Sequence, residues 1–65
     1  MREHVKMEVA IEILSMMIAL ASQDNDEEKV KKLKEELDQL YLGNETILEK
    51  AYTEYSDEIK KRLGK

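Results

Sequence analysis

The chain has 65 residues, with 11 Lys or Arg, 15 Asp or Glu, one His, no Cys and no Pro, and its formal net charge is -4. Zero cysteines exclude disulfides and thiolate metal sites, and one His excludes zinc sites built on two or three imidazoles. The acidic balance argues against nucleic acid as a partner, because phosphate binding depends on Lys and Arg. We therefore expect one domain over residues 1–65, with no cofactor and no metal.

Helix-forming residues fill the chain, and two short breaks divide it. The first break is the polar run 22–26, and the second is Gly43-Asn44, where Gly suits the left-handed position that ends a helix. The first loop is short, so the first two helices should be antiparallel neighbours. The sequence predicts an all-α three-helix bundle with helices over residues 3–22, 26–42 and 45–63.

Capping residues are predicted at the start of the second and third helices. Asp24 lies three residues before Glu27, and Asn25 lies three residues before Glu28, which are the spacings of a capping box. Either residue is therefore a candidate cap for the second helix. Asn44 is the predicted cap of the third helix.

Local ion pairs are predicted at the end of the third helix. Asp57 and Glu58 lie four residues before Lys61 and Arg62, so each pair shares one helix face. We interpret the basic end as a complement to the helix dipole.

The first helix is far more apolar than the other two. On a helical wheel about two-thirds of its circumference is apolar, and Glu8, Glu12 and Ser15 share the remaining stripe. The other helices carry narrower apolar stripes, so we expect them to leave part of the first helix uncovered. The centre of the apolar arc consists of Val9, Ile13, Met16, Met17 and Leu20.

We interpret these five residues as the interface of a homodimer. Contiguous exposed apolar patches usually mark interfaces, and two-fold dimers are the commonest oligomers. A chain this small also buries little of its surface alone, and association is one way to stabilise it. The alternative is that the same five residues form the core of a monomeric bundle, and the sequence leaves both readings open.

A targeting segment is a further reading of the first helix. Arg2 and Lys6 precede an apolar run that ends at Ala21, after a small-residue pattern typical of cleavage sites. Glutamates at the start and in the interior of the run oppose membrane insertion, and the run is too short to span a bilayer. We expect a cytoplasmic protein without a membrane span, with a secreted or membrane-surface precursor cleaved after Ala21 as the alternative.

Catalytic groups are scarce. The single His4 shares a helix face with Glu8 and Glu12, but a solvated side chain is the simpler interpretation, and no Gly-rich phosphate loop is present. The sequence therefore predicts a protein that is not an enzyme.

Part of the chain resembles the small sporulation aspartyl-phosphate phosphatases of spore-forming bacteria. Those proteins are helical hairpins with a Ser-Gln-Glu-Leu-Asp motif on the second helix, and residues 34–38 read Lys-Glu-Glu-Leu-Asp here. Ile11, Glu12 and Leu14 match the first helix, and the resemblance covers roughly residues 11–41. It implies action on response-regulator aspartyl phosphate, with Glu36 and Asp38 as polar contacts.

The function that we expect from the sequence is protein–protein interaction. Self-association is its first form, and a regulatory or adaptor role in a bacterium, phage or mobile element would suit so small a protein. The methionines of the apolar arc favour an adaptable interface. We therefore expect a homodimer. The residues do not identify a further protein partner.

Overall fold

The protein is all-α in a computed structural model that describes the backbone of residues 3–64 and the side chains of residues 6–64; His4 therefore lies outside the described side chains. The elements are α1 (Glu3–Gln23), α2 (Glu27–Tyr41), α3 (Glu45–Lys50), a π-helical segment (Ala51–Tyr55) and α4 (Ser56–Gly64). The last three follow each other without a break and together form what we call the third helix. The predicted three-helix bundle is confirmed, with each boundary within one residue of its predicted position. No described helix is long and apolar enough to cross a membrane.

The turn between α1 and α2 differs from the prediction. Asp26 is the N-cap of α2, and its carboxylate accepts a hydrogen bond of 3.2 Å from the Lys29 amide. Asn25 takes a left-handed backbone with φ of 58°, and the carboxylate of Asp24 binds Arg62 instead. The predicted caps Asp24 and Asn25 are therefore wrong, because Asn tolerates the left-handed turn that lets the chain reverse direction.

The turn between α2 and α3 follows the prediction. Gly43 has φ of 93°, the left-handed conformation that glycine adopts at no steric cost. The Asn44 side chain accepts hydrogen bonds from the amides of Thr46, at 2.9 Å, and Ile47, at 3.4 Å. Two of the free amides of α3 are satisfied in this way, which fixes where the third helix begins.

The core is a row of residues on each of the three helices. In α1 the buried residues recur at intervals of four, three and four, which is the spacing of a helix-packing seam. The third helix supplies Ala51, Tyr55 and Ile59. The buried residues are Ala10, Leu14, Met17, Ala21, Leu33, Leu40, Ala51, Tyr55 and Ile59.

The π-helical segment keeps the third helix facing the core. Ala51 and Ile59 are both buried but lie eight positions apart, which in a regular α-helix would rotate them by about 80°. The wider π turn between them takes up one additional residue and removes this rotation. The sequence predicted an uninterrupted α-helix here, so the π segment is a correction to that prediction.

Candidate functional site

Helix α1 carries two apolar rows side by side. The core row is Ala10, Leu14, Met17 and Ala21. The outer row is Val9, Ile13, Met16 and Leu20, each one position before a core residue, so both rows share the same spacing. The core row is buried, whereas three residues of the outer row are half-buried and Met16 is 41% exposed.

The predicted interface residues divide between these rows. Val9, Ile13, Met16 and Leu20 lie together on the outer row, whereas Met17 is only 1% exposed and belongs to the core. The other helices cover the side of α1 that carries the two alanines. Small side chains allow helix axes to approach closely, which favours packing on that side.

The outer row continues onto the third helix through Leu63. This leucine is 65% exposed, and it shares a small groove lined only by apolar side chains with Met16, Ala19 and Leu20. Leu63 was not among the predicted site residues, since nothing in the sequence relates it to α1. We call the outer row together with Leu63 the outer patch.

Two contacts fix the position of the third helix along α1. The Tyr52 hydroxyl donates a hydrogen bond of 2.8 Å to the Lys6 carbonyl, in the first turns of α1. Arg62 binds Asp24, just beyond the end of α1, through two hydrogen bonds of 2.8 and 3.3 Å. The hydrogen bond from Arg62 holds the pKa of the Asp24 carboxyl below its ordinary value. The third helix therefore runs parallel to α1, and its C-terminal end lies beside the end of α1.

A partly buried polar cluster joins α2 to the third helix. The Glu36 carboxylate accepts a hydrogen bond from the Tyr55 hydroxyl and another, of 3.3 Å, from the Lys50 ammonium. The Lys50 ammonium also lies 5.5 Å from the centroid of the Tyr55 ring. Burial, followed by the hydrogen bond to Glu36, raises the pKa of Tyr55 to about 12. The cluster is a structural clamp, because both carboxylate oxygens of Glu36 are occupied.

The resemblance to aspartyl-phosphate phosphatases gains no support from this cluster. Glu36, one of its two implied contact residues, is only 12% exposed at its side chain and is held by Lys50 and Tyr55. Asp38, the other, is exposed on α2. The two residues therefore occupy different environments.

We expect Tyr55 to make the fold sensitive to alkali. The pKa of Tyr55 is higher in the folded state than its ordinary value, so the stabilisation is present below pH 10 and is lost as the pH rises towards 12. Denaturant unfolding at pH values of about 9 and about 11.5 should show a larger loss of stability for the wild type than for Tyr55→Phe. Tyr41→Phe, at an exposed tyrosine, is the control and should behave like the wild type. An equal loss in Tyr55→Phe and the wild type would contradict this account.

Comparison with known proteins finds no matching family model, no similar curated protein and no similar solved structure. Within the described side chains, no group of three or more His, Asp or Glu residues is placed to hold a metal ion.

Proposed function

We propose that this protein acts by binding proteins, and that its first partner is a second copy of itself docked on the outer patch. The observation that carries the proposal is the outer row, which is only partly covered: Val9, Ile13 and Leu20 are half-buried and Met16 is exposed. It repeats the spacing of the core row and has the larger side chains, since Val, Ile, Met and Leu lie beside Ala, Leu, Met and Ala. Leaving such a row in water forgoes the stabilisation that its burial would give.

The spacing of the outer row suits a second copy better than an unrelated partner. Intervals of four, three and four read the same in both directions along the helix. Two such rows can therefore interlock across a two-fold axis, because each residue then meets the gap left by its counterpart. The pairing would also enlarge the hydrophobic core of a chain that is small for an isolated domain.

The borders of the outer patch have the character of an interface rim. Glu8, Glu12 and Ser15 are exposed along one edge of α1, and Lys60 is exposed on the third helix near Leu63. Interfaces commonly combine an apolar centre with a polar, solvated rim. A homodimer would then present two copies of the charged α2 surface, which is the arrangement that we propose for a regulatory or adaptor role.

The proposal is tested by sedimentation equilibrium on the wild type and Met16→Glu. The wild type should have the mass of a dimer at high concentration and dissociate on dilution. Met16→Glu should stay monomeric, with a dissociation constant at least about 100-fold higher, because dimerisation would bury an unpaired carboxylate. Its circular dichroism should match the wild type, since position 16 is exposed in the single chain.

The matched control is Gln39→Glu, which adds the same charge at an exposed position of α2, outside the outer patch and its rim. It should dimerise like the wild type. A wild type that remains monomeric at millimolar concentration, or a Met16→Glu variant that dimerises normally, would overturn the proposal.

A further inference from the structure

We infer that the two copies pair with their α1 helices parallel, and that Lys60 of each copy lies against Glu12 of the other. This inference rests on the proposed self-association and names the arrangement of the two copies. The outer row has the same spacing in both directions, so its packing allows either orientation. The charges at the borders of the outer patch distinguish the two orientations.

The two long borders of the outer patch carry opposite charges. Glu8 and Glu12 are each one position before a residue of the outer row, so they form a glutamate border on the side of that row away from the core row. The third helix forms the other border, where Lys60 is exposed one position after the buried Ile59. Neither Glu12 nor Lys60 takes part in an ion pair within the described side chains.

The packing of the third helix fixes the level of Lys60 along α1. The third helix runs parallel to α1, and its Leu63 shares a groove with Met16 and Leu20. Lys60 is three residues before Leu63, and three residues of α-helix span about 4.5 Å. Lys60 therefore lies level with residues 14–15 of α1, at the middle of the outer row.

A parallel pair brings the opposite borders together. Its two-fold axis runs along the outer row, so each residue of α1 stays at the level of its counterpart and the two borders exchange sides. The third helix of one copy then faces the glutamate border of the other. Lys60 lies about 4 Å along the axis from the level of the partner's Glu12, a distance that a lysine side chain spans, and the symmetry makes this contact twice.

The charges at the start of the helices do not oppose a parallel pair. There the partner's Glu8 faces a groove that is lined by both Lys6 and Glu49, so it meets one charge of each sign. The contact between Lys60 and Glu12 therefore distinguishes the two orientations.

An antiparallel pair brings identical borders together. Its two-fold axis passes midway between Ile13 and Met16, which is also the level of Lys60. The two copies of Lys60 would therefore face each other, and the two Glu12 carboxylates would share one border. Like charges placed opposite each other disfavour an arrangement, and complementary charges fix the register of an interface.

Charge reversal tests the contact. Lys60→Glu and Glu12→Lys should each raise the dissociation constant of the dimer about tenfold at low salt, since two exposed ion pairs become two repulsive contacts. Glu12→Lys is the stricter test, because it reduces the net negative charge of each copy and would strengthen a dimer that responded only to overall repulsion. The double variant Lys60→Glu with Glu12→Lys should return to a value near that of the wild type. The control is Lys34→Glu, at an exposed lysine of α2 outside the outer patch, and it should change the dissociation constant much less than Lys60→Glu does.

Cysteine cross-linking measures the orientation independently, and the chain has no cysteine of its own to interfere. Gln23 is exposed at the end of α1, seven positions after Met16, so it lies in line with the outer row. In a parallel pair the two copies of position 23 are neighbours, whereas in an antiparallel pair they are about 25 Å apart along the helix axis. Gln23→Cys should therefore form a disulfide between two copies upon oxidation, much faster than the control Gln39→Cys at an exposed position of α2.

The outcomes separate the arrangement from the proposed function. A wild type that never dimerises overturns both. A wild-type dimer that Met16→Glu dissociates, but in which Gln23→Cys cross-links no faster than Gln39→Cys, overturns the parallel pairing and leaves self-association standing. A double variant that does not recover the wild-type affinity overturns the contact between Lys60 and Glu12. Recovery of affinity together with the fast cross-link supports the inference.

Discussion

Met17→Glu is expected to prevent folding. The side chain of Met17 is 1% exposed and belongs to the core row, so the substitution places a carboxylate among apolar side chains with no cation provided for it. Burying an unpaired charge and losing the packing of methionine together cost several kcal/mol. A small domain has a total stability of the order of 5 kcal/mol, so the loss is close to the whole.

Far-UV circular dichroism and thermal unfolding of Met17→Glu measure this effect directly. The adjacent Met16→Glu is the matched comparison, because it makes the same chemical change at a residue that is 41% exposed. We expect Met16→Glu to keep its helical signal and a cooperative transition, and Met17→Glu to lose both. A folded Met17→Glu variant with an unchanged transition would mean that the core row is not buried.

Deletion of Thr53 is expected to leave the fold intact. Thr53 is an exposed residue of the π segment, which holds one residue more than a regular helix would need between Ala51 and Ile59. Without Thr53 the chain can continue as a regular α-helix, and Ile59 keeps its place in the core. The lost hydrogen bond of 2.9 Å from the Thr53 hydroxyl to the Glu49 carbonyl is exposed, so the free energy of unfolding should change by no more than about 1 kcal/mol.

Deletion of Lys32 is the matched control. Lys32 is equally an exposed residue inside a helix, but α2 contains no π turn to absorb the change. The deletion rotates the two parts of α2 by about 100° relative to each other, so Leu33 and Leu40 cannot stay in the core with the start of the helix in place. Denaturant unfolding should show a folded Thr53 deletion and an unfolded Lys32 deletion. Unfolding of both would mean that the π turn is required and not a tolerated insertion.

The helix boundaries could be predicted because they depend on local chemistry. Gly43 and Asn44 end one helix and begin the next through backbone conformation and a side-chain cap, and both effects act over a few residues. The first turn was harder to predict because three consecutive residues, Asp24, Asn25 and Asp26, could each supply a cap. Asp26 does so, and the competing Asp24 is held by Arg62 from far along the chain.

The buried face of α1 could not be chosen from its own sequence. Apolar residues cover so much of this helix that the core row and the outer row have the same spacing and are both entirely apolar. The position of the other two helices determines which of the two rows is buried. For this reason the predicted interface combined four residues of the outer row with Met17, which the structure places in the core row, and it did not include Leu63, which lies beside Met16 and Leu20.

Ion pairs between different parts of the bundle also could not be predicted from the spacing of residues along the sequence. The predicted pair of Asp57 and Lys61 is present at 3.7 Å, since both residues belong to the same helix. Glu58, however, binds Lys29 of α2 at 3.0 Å, and Arg62 binds Asp24. The predicted pair of Glu58 and Arg62 is therefore replaced by bonds to other parts of the bundle, which depend on how the helices are arranged.

The residue at position 43 is restricted by the backbone conformation of the turn and not by the space around it. A β-carbon built on this residue would meet no atom within 4 Å, so a side chain has room there. The obstacle is φ of 93°, which residues of the natural L configuration disfavour and those of the D configuration prefer. D-alanine at position 43 would therefore match the backbone conformation of the turn and would restrict the unfolded chain more than glycine does. In a chemically synthesised protein, the mirror-image residue can stiffen this connection without touching the core or the outer patch.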